Sequence, residues 1–329
     1  MLLSIIIPTY KRKKILLETL QSLITHKDFD NNNIEIIVVN DDKENDLSDV
    51  KDVYKNVIIL NNIKKGPASA RNLGASIAKG KILLFNDDDV LPSENYFKRH
   101  INVQNKFEKI ICSAYRIYPE SIIKKAEKYP FGRYKIFFEY KVFADGKFEK
   151  IEDEIYKVDG IPSYSMSIKK KYFEELNGFN EKFLYPGCED AEFSYVASKK
   201  GYLLVLDKKN ICYHNEMDNF TLERWLWRQE IGIKTCVIIC SLHPEGKNHS
   251  EWLYNSPFKL SDPLNVKLIK IKKYILHLSL VHKFLLFFTK ILEKIKAPDF
   301  ILFKLYNSLW IGRIKQSFDD EYKKVFKNK

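Results

Sequence analysis

The chain has 329 residues, 45% of them hydrophobic and 30% charged, enough for one sizeable core or for a catalytic domain with an appended segment. Its net charge of +12 is gathered at one end: Leu264 to Lys329 holds 15 Lys/Arg against 5 Asp/Glu, leaving about +2 for everything before. Charge placed in this way excludes a general nucleic-acid binder and predicts that the tail meets something anionic. Met1 to Ile7 is short, uncharged and broken by Pro8, which predicts no secretory leader. No stretch reaches the ~18 uninterrupted apolar residues of a spanning helix. The cysteines at 112, 188, 212, 236 and 240 are odd in number and form no CxxC pair, as expected of a reduced, cytoplasmic protein.

Along the chain, Ser4-Ile5-Ile6-Ile7-Pro8 reads as a short buried strand ended by proline. Lys13 to Thr25 has helical spacing, with Ile15, Leu16, Leu20, Leu23 and Ile24 on one side. Ile34 to Val39 is a second buried strand stopping at Asn40-Asp41-Asp42, and Val57 to Leu60 is a third. Pro67 to Lys79 predicts an alanine-rich helix closed by Gly80, before a fourth strand from Lys81 to Phe85. Strands alternating with helices at this interval predict a parallel, doubly wound α/β sheet, whose ligands gather at the carboxyl ends of the strands. Three polar clusters fall there: Pro8-Thr9-Tyr10, Asn40-Asp41-Asp42 and Asp87-Asp88-Asp89. Three adjacent carboxylates repel one another, and a hard divalent cation bridging them to a diphosphate is one chemical reason to keep them; a solvated acidic turn is the plainer one. No GxGxxG or GxxxxGK loop is present, which argues against Rossmann dehydrogenases and P-loop NTPases. Cys236 and Cys240 with His243 are too few for a metal site and read as a buried helical turn. Trp225 and Trp227, beside Arg224 and Arg228, read as packing residues, with an acceptor-side helix as the alternative.

These residues resemble family 2 glycosyltransferases of the GT-A fold over residues 1 to about 235. The pieces are Ser4 to Tyr10, Val38-Val39-Asn40-Asp41-Asp42, Gly66-Pro67-Ala68-Ser69-Ala70-Arg71-Asn72-Leu73-Gly74 and Asn86-Asp87-Asp88-Asp89, then Leu176-Asn177-Gly178-Phe179-Asn180-Glu181 and Gly187-Cys188-Glu189-Asp190-Ala191-Glu192. The resemblance implies a Rossmann-like, mostly parallel α/β sheet flanked by helices. Its nucleotide-sugar half would run to about residue 110 and its acceptor half over about 111–235, with a basic amphipathic helical extension over 236–329. Pro8, Thr9 and Tyr10 would line the nucleotide base, Asp41 would accept a hydrogen bond from it, typically uracil, and Arg71 would sit near the phosphates or the base. Asp87, Asp88 and Asp89 match the DxD motif, with Asp89 coordinating Mn²⁺ or Mg²⁺ and Asp87 or Asp88 contacting ribose or metal-bound water. Asp190 would be the catalytic base, although an Asp there also suits a helix cap. His214 would turn towards the metal or diphosphate, or simply be packed.

The implied activity is inverting, metal-dependent transfer of one hexosyl or N-acetylhexosaminyl unit from a nucleotide-diphosphate sugar, a UDP-sugar by preference. The acceptor would be a saccharide or lipid-linked saccharide in cell-surface glycan biosynthesis. An inactive sugar-nucleotide-binding module and a nucleotidyltransferase on a similar fold are the alternatives. The chain departs from the family at Asn40, where an Asp is usual, and at Val196, where many members have Arg. Thr221 stands where processive synthases carry Gln, which implies one sugar per encounter. The tail pairs apolar residues such as Leu280, Phe284, Phe288 and Ile291 with Lys283, Lys290 and Lys294. It is expected either to cover the catalytic domain or to hold a cytoplasmic protein on the anionic inner face of a membrane.

Overall fold

The computed structural model describes residues 1–44, 46–144, 148–183, 189–216, 220–245 and 250–327; Gly187 and Cys188 of the last motif lie outside them. The chain divides into two compact units, 1–120 with 147–216 and 121–146 with 217–329.

The first unit is built on one mixed sheet. Up to residue 117 the chain forms β1 (Leu3–Thr9), α1 (Lys13–Ile24), β2 (Ile34–Asn40), α2 (Ser48–Val53), β3 (Val57–Asn61), α3 (Pro67–Ile77), β4 (Ile82–Asn86), β5 (Val90–Pro92), α4 (Tyr96–Lys106) and β6 (Ile110–Ile117). After α5 (Glu120–Ala126) and α6 (Pro130–Ala144) it resumes with β7 (Glu149–Glu152), β8 (Ile155–Lys157), β9 (Ser165–Lys169), α7 (Lys170–Glu175), α8 (Glu189–Lys199) and β10 (Leu203–His214). The strand order is β3-β2-β1-β4-β9-β6-β10-β8-β7, with β5 paired to β10. β3, β2, β1 and β4 run parallel, and β9 enters antiparallel between β4 and β6.

The near-continuous apolar runs of β1 and β2 exist because both faces of the sheet are covered. Ile6, Ile37 and Val39 join Leu83 and Phe85 under α3, α7 and α8, whereas Ile5, Ile7, Ile36 and Val38 face α1 and α4 on the other side. Gly80 does not close α3. That helix stops at Ile77 with Ala78 as its C-cap, and a Cβ on Gly80 would lie 2.5 Å from the Ser4 backbone nitrogen. The glycine is needed for close approach to β1.

The second unit is helical. It contains α6, α9 (Leu222–Leu242), α10 (Ser250–Asn255), α11 (Leu264–His277), α12 (Ser279–Lys294) and α13 (Asp299–Tyr322), which closes in a π-helical turn over Lys323–Lys327. α13 packs against α6, α9, α11 and α12. Phe131, Tyr134, Trp225 and Tyr306 form an aromatic core there. Trp225 is therefore a packing residue, while Trp227 is exposed beneath the Arg224 guanidinium. Cys240 is buried with Ile233, Val237 and Trp252 in a second apolar cluster, Cys236 packs at its edge, and the two are not bridged. Among the described residues no single helix is long and apolar enough to cross a membrane; α11 and α12 pass that test only as a pair bent by 73°.

Candidate active site

Register brings the predicted clusters to one edge of the sheet. Thr9 pairs with Asn40, and Asn40 with Asn61, at the carboxyl ends of β1, β2 and β3. The Asp41 amide donates to the Thr9 carbonyl at 2.9 Å, which fixes the start of the next loop. The Asp41 carboxylate accepts from Asn62 Nδ2 at 2.6 Å and from the Gly66 amide at 3.0 Å. Gly66, at φ +102°, supplies a backbone conformation that a side chain would strain. Burial raises the proton affinity of Asp41, opposed by those two hydrogen bonds. Pro8 is half-buried, and the Tyr10 ring is 51% exposed with the Lys11 ammonium 5.4 Å from its centre.

Past β4 the three carboxylates diverge in environment. Asp88 is buried; its Oδ2 accepts from Thr9 Oγ1 at 2.6 Å, and its Oδ1 lies 3.0 Å from Arg12 Nη1. Asp89 is 2% exposed, and its Oδ2 takes both Arg12 Nη2 at 2.7 Å and His214 Nε2 at 3.1 Å. Arg12 Nη2 also lies 3.3 Å from Glu216 Oε1, and His214 Nε2 lies 3.6 Å from Glu216 Oε2. His214 reaches Asp89 because it ends β10, where it pairs with Val90 of β5; the Tyr118 ring backs it at 5.6 Å. Burial pushes the Asp88 carboxyl up to about 7 despite the Arg12 guanidinium, with Asp89 adding to the rise. Burial acts on Asp89 in the same sense, but His214 and Arg12 overcome it and hold that carboxyl well below the usual range.

Asp87 takes a third path. Arg71, 4% exposed on α3, donates from Nη2 to Asp87 Oδ1 at 2.7 Å and from Nη1 to Glu189 Oε1 at 2.9 Å. A buried guanidinium thus ties the end of β4 to the first residue of α8. Asp190 follows in that first turn, its Oδ1 accepting from the Ala191 amide at 2.8 Å and its Oδ2 from the Ser163 amide at 3.4 Å. Burial, reinforced by the Glu189 charge, pushes Asp190 up to about 7, with Arg71 pulling the other way.

Asp89 and His214, both of which the resemblance sets towards the metal, are neighbours. Three further members escaped the sequence reading. Arg12 lies three residues past the end of β1, beside the lysines, and only the fold turns it onto Asp88 and Asp89. Glu216 stands two residues after His214, just past the end of β10, where no strand alternation marks it. Glu189 was quoted without a role of its own. Because Arg12 balances buried carboxylates and is itself only partly exposed, Arg12→Ala is expected to lower stability by about 3 kcal/mol, read as a reduced midpoint in urea unfolding.

Asp89, His214 and Glu216 each offer one ligand atom, all within 4.8 Å of one another. Asp89 Oδ1 and His214 Nδ1 are buried without a hydrogen-bond partner among the described residues. Three carboxylates around one guanidinium leave excess negative charge, so the donor set suits a divalent cation.

The model for glycosyl transferase family 2 matches residues 4–176. The chain belongs to that family. An uncharacterized glycosyltransferase of Rickettsia felis is 35% identical to it over 109 residues, 32% of this chain and 17% of the relative. WfaP of Escherichia coli, described as a UDP-Glc:alpha-D-GlcNAc-diphosphoundecaprenol beta-1,3-glucosyltransferase, is 39% identical over 93 residues, 27% of this chain and 35% of the relative. The chain therefore spans well under half the length of either curated relative. Its fold is that of GalNAc-T7 solved with UDP, GalNAc and Mn²⁺, at a TM-score of 0.57 and 15% identity over 82% of this chain and 54% of that one. The central sheet and its flanking helices are those of the GT-A fold.

Proposed function

We propose that the enzyme transfers one hexosyl or N-acetylhexosaminyl unit, with inversion, from a UDP-sugar to a saccharide or lipid-linked saccharide in cell-surface glycan biosynthesis. The observation that carries this reading is a division of labour within one unit. A compact carboxylate–histidine cluster stands at the strand ends, and a separate carboxylate, Asp190, holds its proton up to about 7. The description of WfaP and the UDP and Mn²⁺ bound to GalNAc-T7 agree with it.

In this mechanism Pro8, Thr9 and Tyr10 line the base and Asp41 accepts its N–H. Asp89, His214 and Glu216 would hold Mn²⁺ or Mg²⁺, which when bound neutralises charge on the departing diphosphate. An imidazole in the set favours Mn²⁺ over the more strictly oxygen-seeking Mg²⁺. Arg71 keeps Asp87 and Glu189 in place, so that Asp190 stands ready to take the proton of the attacking acceptor hydroxyl. One base without a second nucleophile gives a single displacement, hence inversion.

Two measurements test the reading. Thermal unfolding across a panel of sugar nucleotides is expected to reveal protection by a UDP-sugar in Mn²⁺ that disappears with a chelator, because a ligand stabilises the state it binds. Protection by no sugar nucleotide would overturn it. A base must be ionised to act, so turnover is expected to rise about tenfold per pH unit below pH ~7 and level off above. A flat profile from pH 5 to 8 would remove Asp190 from the base role.

The proposal also sets the enzyme peripherally on the inner face of a membrane, where a lipid-linked acceptor would be met.

A further inference from the structure

The α12 helix carries two apolar faces, and among the described residues only one is packed. Leu285, Leu286 and Leu292 pack on the aromatic core of the helical unit and Thr289 is buried with them. At about 100° per residue, Leu280, Phe284, Phe287, Phe288, Ile291 and Ile295 fall on a second stripe, about 100° wide, pointing away from that core. Leu280 is 82% exposed, Phe284 64% and Phe287 65%, and the rings of Phe284 and Phe288 lie parallel on the surface. A helix that has buried one apolar stripe and shows another has a further apolar phase to meet.

The charges identify that phase. Lys283, Lys290 and Lys294 form a row along one edge of the exposed stripe; all three are exposed and have no ion-pair partner among the described residues. Glu293 is the single acidic residue of α11 and α12, and it turns inward to accept from the Tyr306 hydroxyl. Apolar side chains flanked by lysines, with no carboxylate beside them, suit an acyl layer under anionic headgroups, into which lysine stems can lie while their ammonium groups stay in water. At about 1.5 Å per residue the 16-residue helix is some 24 Å long, short of the ~30 Å hydrocarbon core. Alone it is too short to span that core, and an orientation in the plane of the interface suits its length. α11, joined at Leu278, exposes a row of its own, Leu264, Leu268, Ile271 and Ile275.

We propose that the exposed face of α12 docks in the plane of an anionic lipid surface, Phe284 and Phe287 inserted and Lys283, Lys290 and Lys294 at the phosphates. This takes up the peripheral-membrane part of the reading above and identifies the face responsible.

The test is flotation of the whole chain with vesicles of phosphatidylcholine, alone or mixed with phosphatidylglycerol. The native chain is expected to float with the mixed vesicles and to bind the neutral ones much more weakly. Phe284→Ser with Phe287→Ser is expected to cut partitioning on the order of tenfold or more. Lys283→Glu with Lys290→Glu and Lys294→Glu is expected to abolish the preference for anionic lipid. Equal flotation of native chain and both variants, or none by the native chain, overturns the docking face. So does sedimentation showing a native dimer that the serine variant dissolves, since a second copy would then cover the stripe. Should the serine pair fail to fold, Phe287→Trp replaces it: a blue-shifted emission with mixed vesicles supports insertion and an unshifted one overturns it. Thermal protection by the sugar nucleotide is expected to be the same in every variant. Failure of the native chain to float with that protection intact overturns the docking alone, and flotation of the native chain without protection overturns the sugar-transfer reading alone.

Discussion

Asp190→Asn is expected to lower turnover on the order of 10²–10⁴-fold while leaving the affinity for sugar nucleotide unchanged. The substitution keeps the shape of the side chain and an oxygen to accept from the Ala191 amide, but leaves nothing to receive the proton of the acceptor hydroxyl. It also removes a charge that burial and Glu189 oppose, so the variant is expected to be at least as stable as the parent. Single-turnover transfer measured beside nucleotide-induced thermal protection separates chemistry from binding. Normal transfer by the asparagine variant would assign the base elsewhere.

Asp89→Ala is expected to have the converse signature, with metal-dependent donor binding weakened on the order of 10²-fold or more, because outer-sphere partners alone are worth 10–100-fold. The Asp89 Oδ2 atom serves both Arg12 and His214, and its Oδ1 is the orphaned oxygen of the cluster. Calorimetric titration of Mn²⁺, with and without UDP, reads the loss directly. Asp88→Asn provides the contrast. That carboxyl holds its proton up to about 7 and is already engaged by Thr9 and Arg12, so a neutral replacement should disturb metal binding far less. If Asp88→Asn abolished Mn²⁺ binding and Asp89→Ala left it intact, the assignment within the acidic run would be reversed.

The parallel half of the sheet could be read from the chain because strands buried on both faces leave unbroken apolar runs, and Pro8, Asn40 and Asn86 mark where each run meets the site. β9 left no such trace. Its Ser165 and Ser167 are buried in mid-sheet, satisfied by Tyr96 and His100 from α4. α4 turns His100 and Gln104 inward, and both are fully buried. A polar strand packed on a polar helix face defeats any reading that equates apolar with buried; its cause is a hydrogen-bonded network assembled from residues some 65 positions apart. The site divided in the same way. Carboxylates at strand ends were visible because chain direction alone places them. Arg12 joins them through a side chain reaching across 77 positions, and Arg71 reaches Glu189 across 118, contacts that no local pattern encodes. The aromatic run Tyr129 to Tyr140 likewise gave no sign that it would pack with α9 and α13.

The Arg71 guanidinium is held at one end by the acidic run after β4 and at the other by the residue before the proposed base. If donor and acceptor engage the two ends of this buried cation as proposed, it offers a physical link through which one could bias the other. Whatever factor a bound donor applies through this link to acceptor affinity, the acceptor must apply to donor affinity in return. A cation placed to hold carboxylates in position would, on that account, also carry cooperativity between the two substrates, equal in both directions.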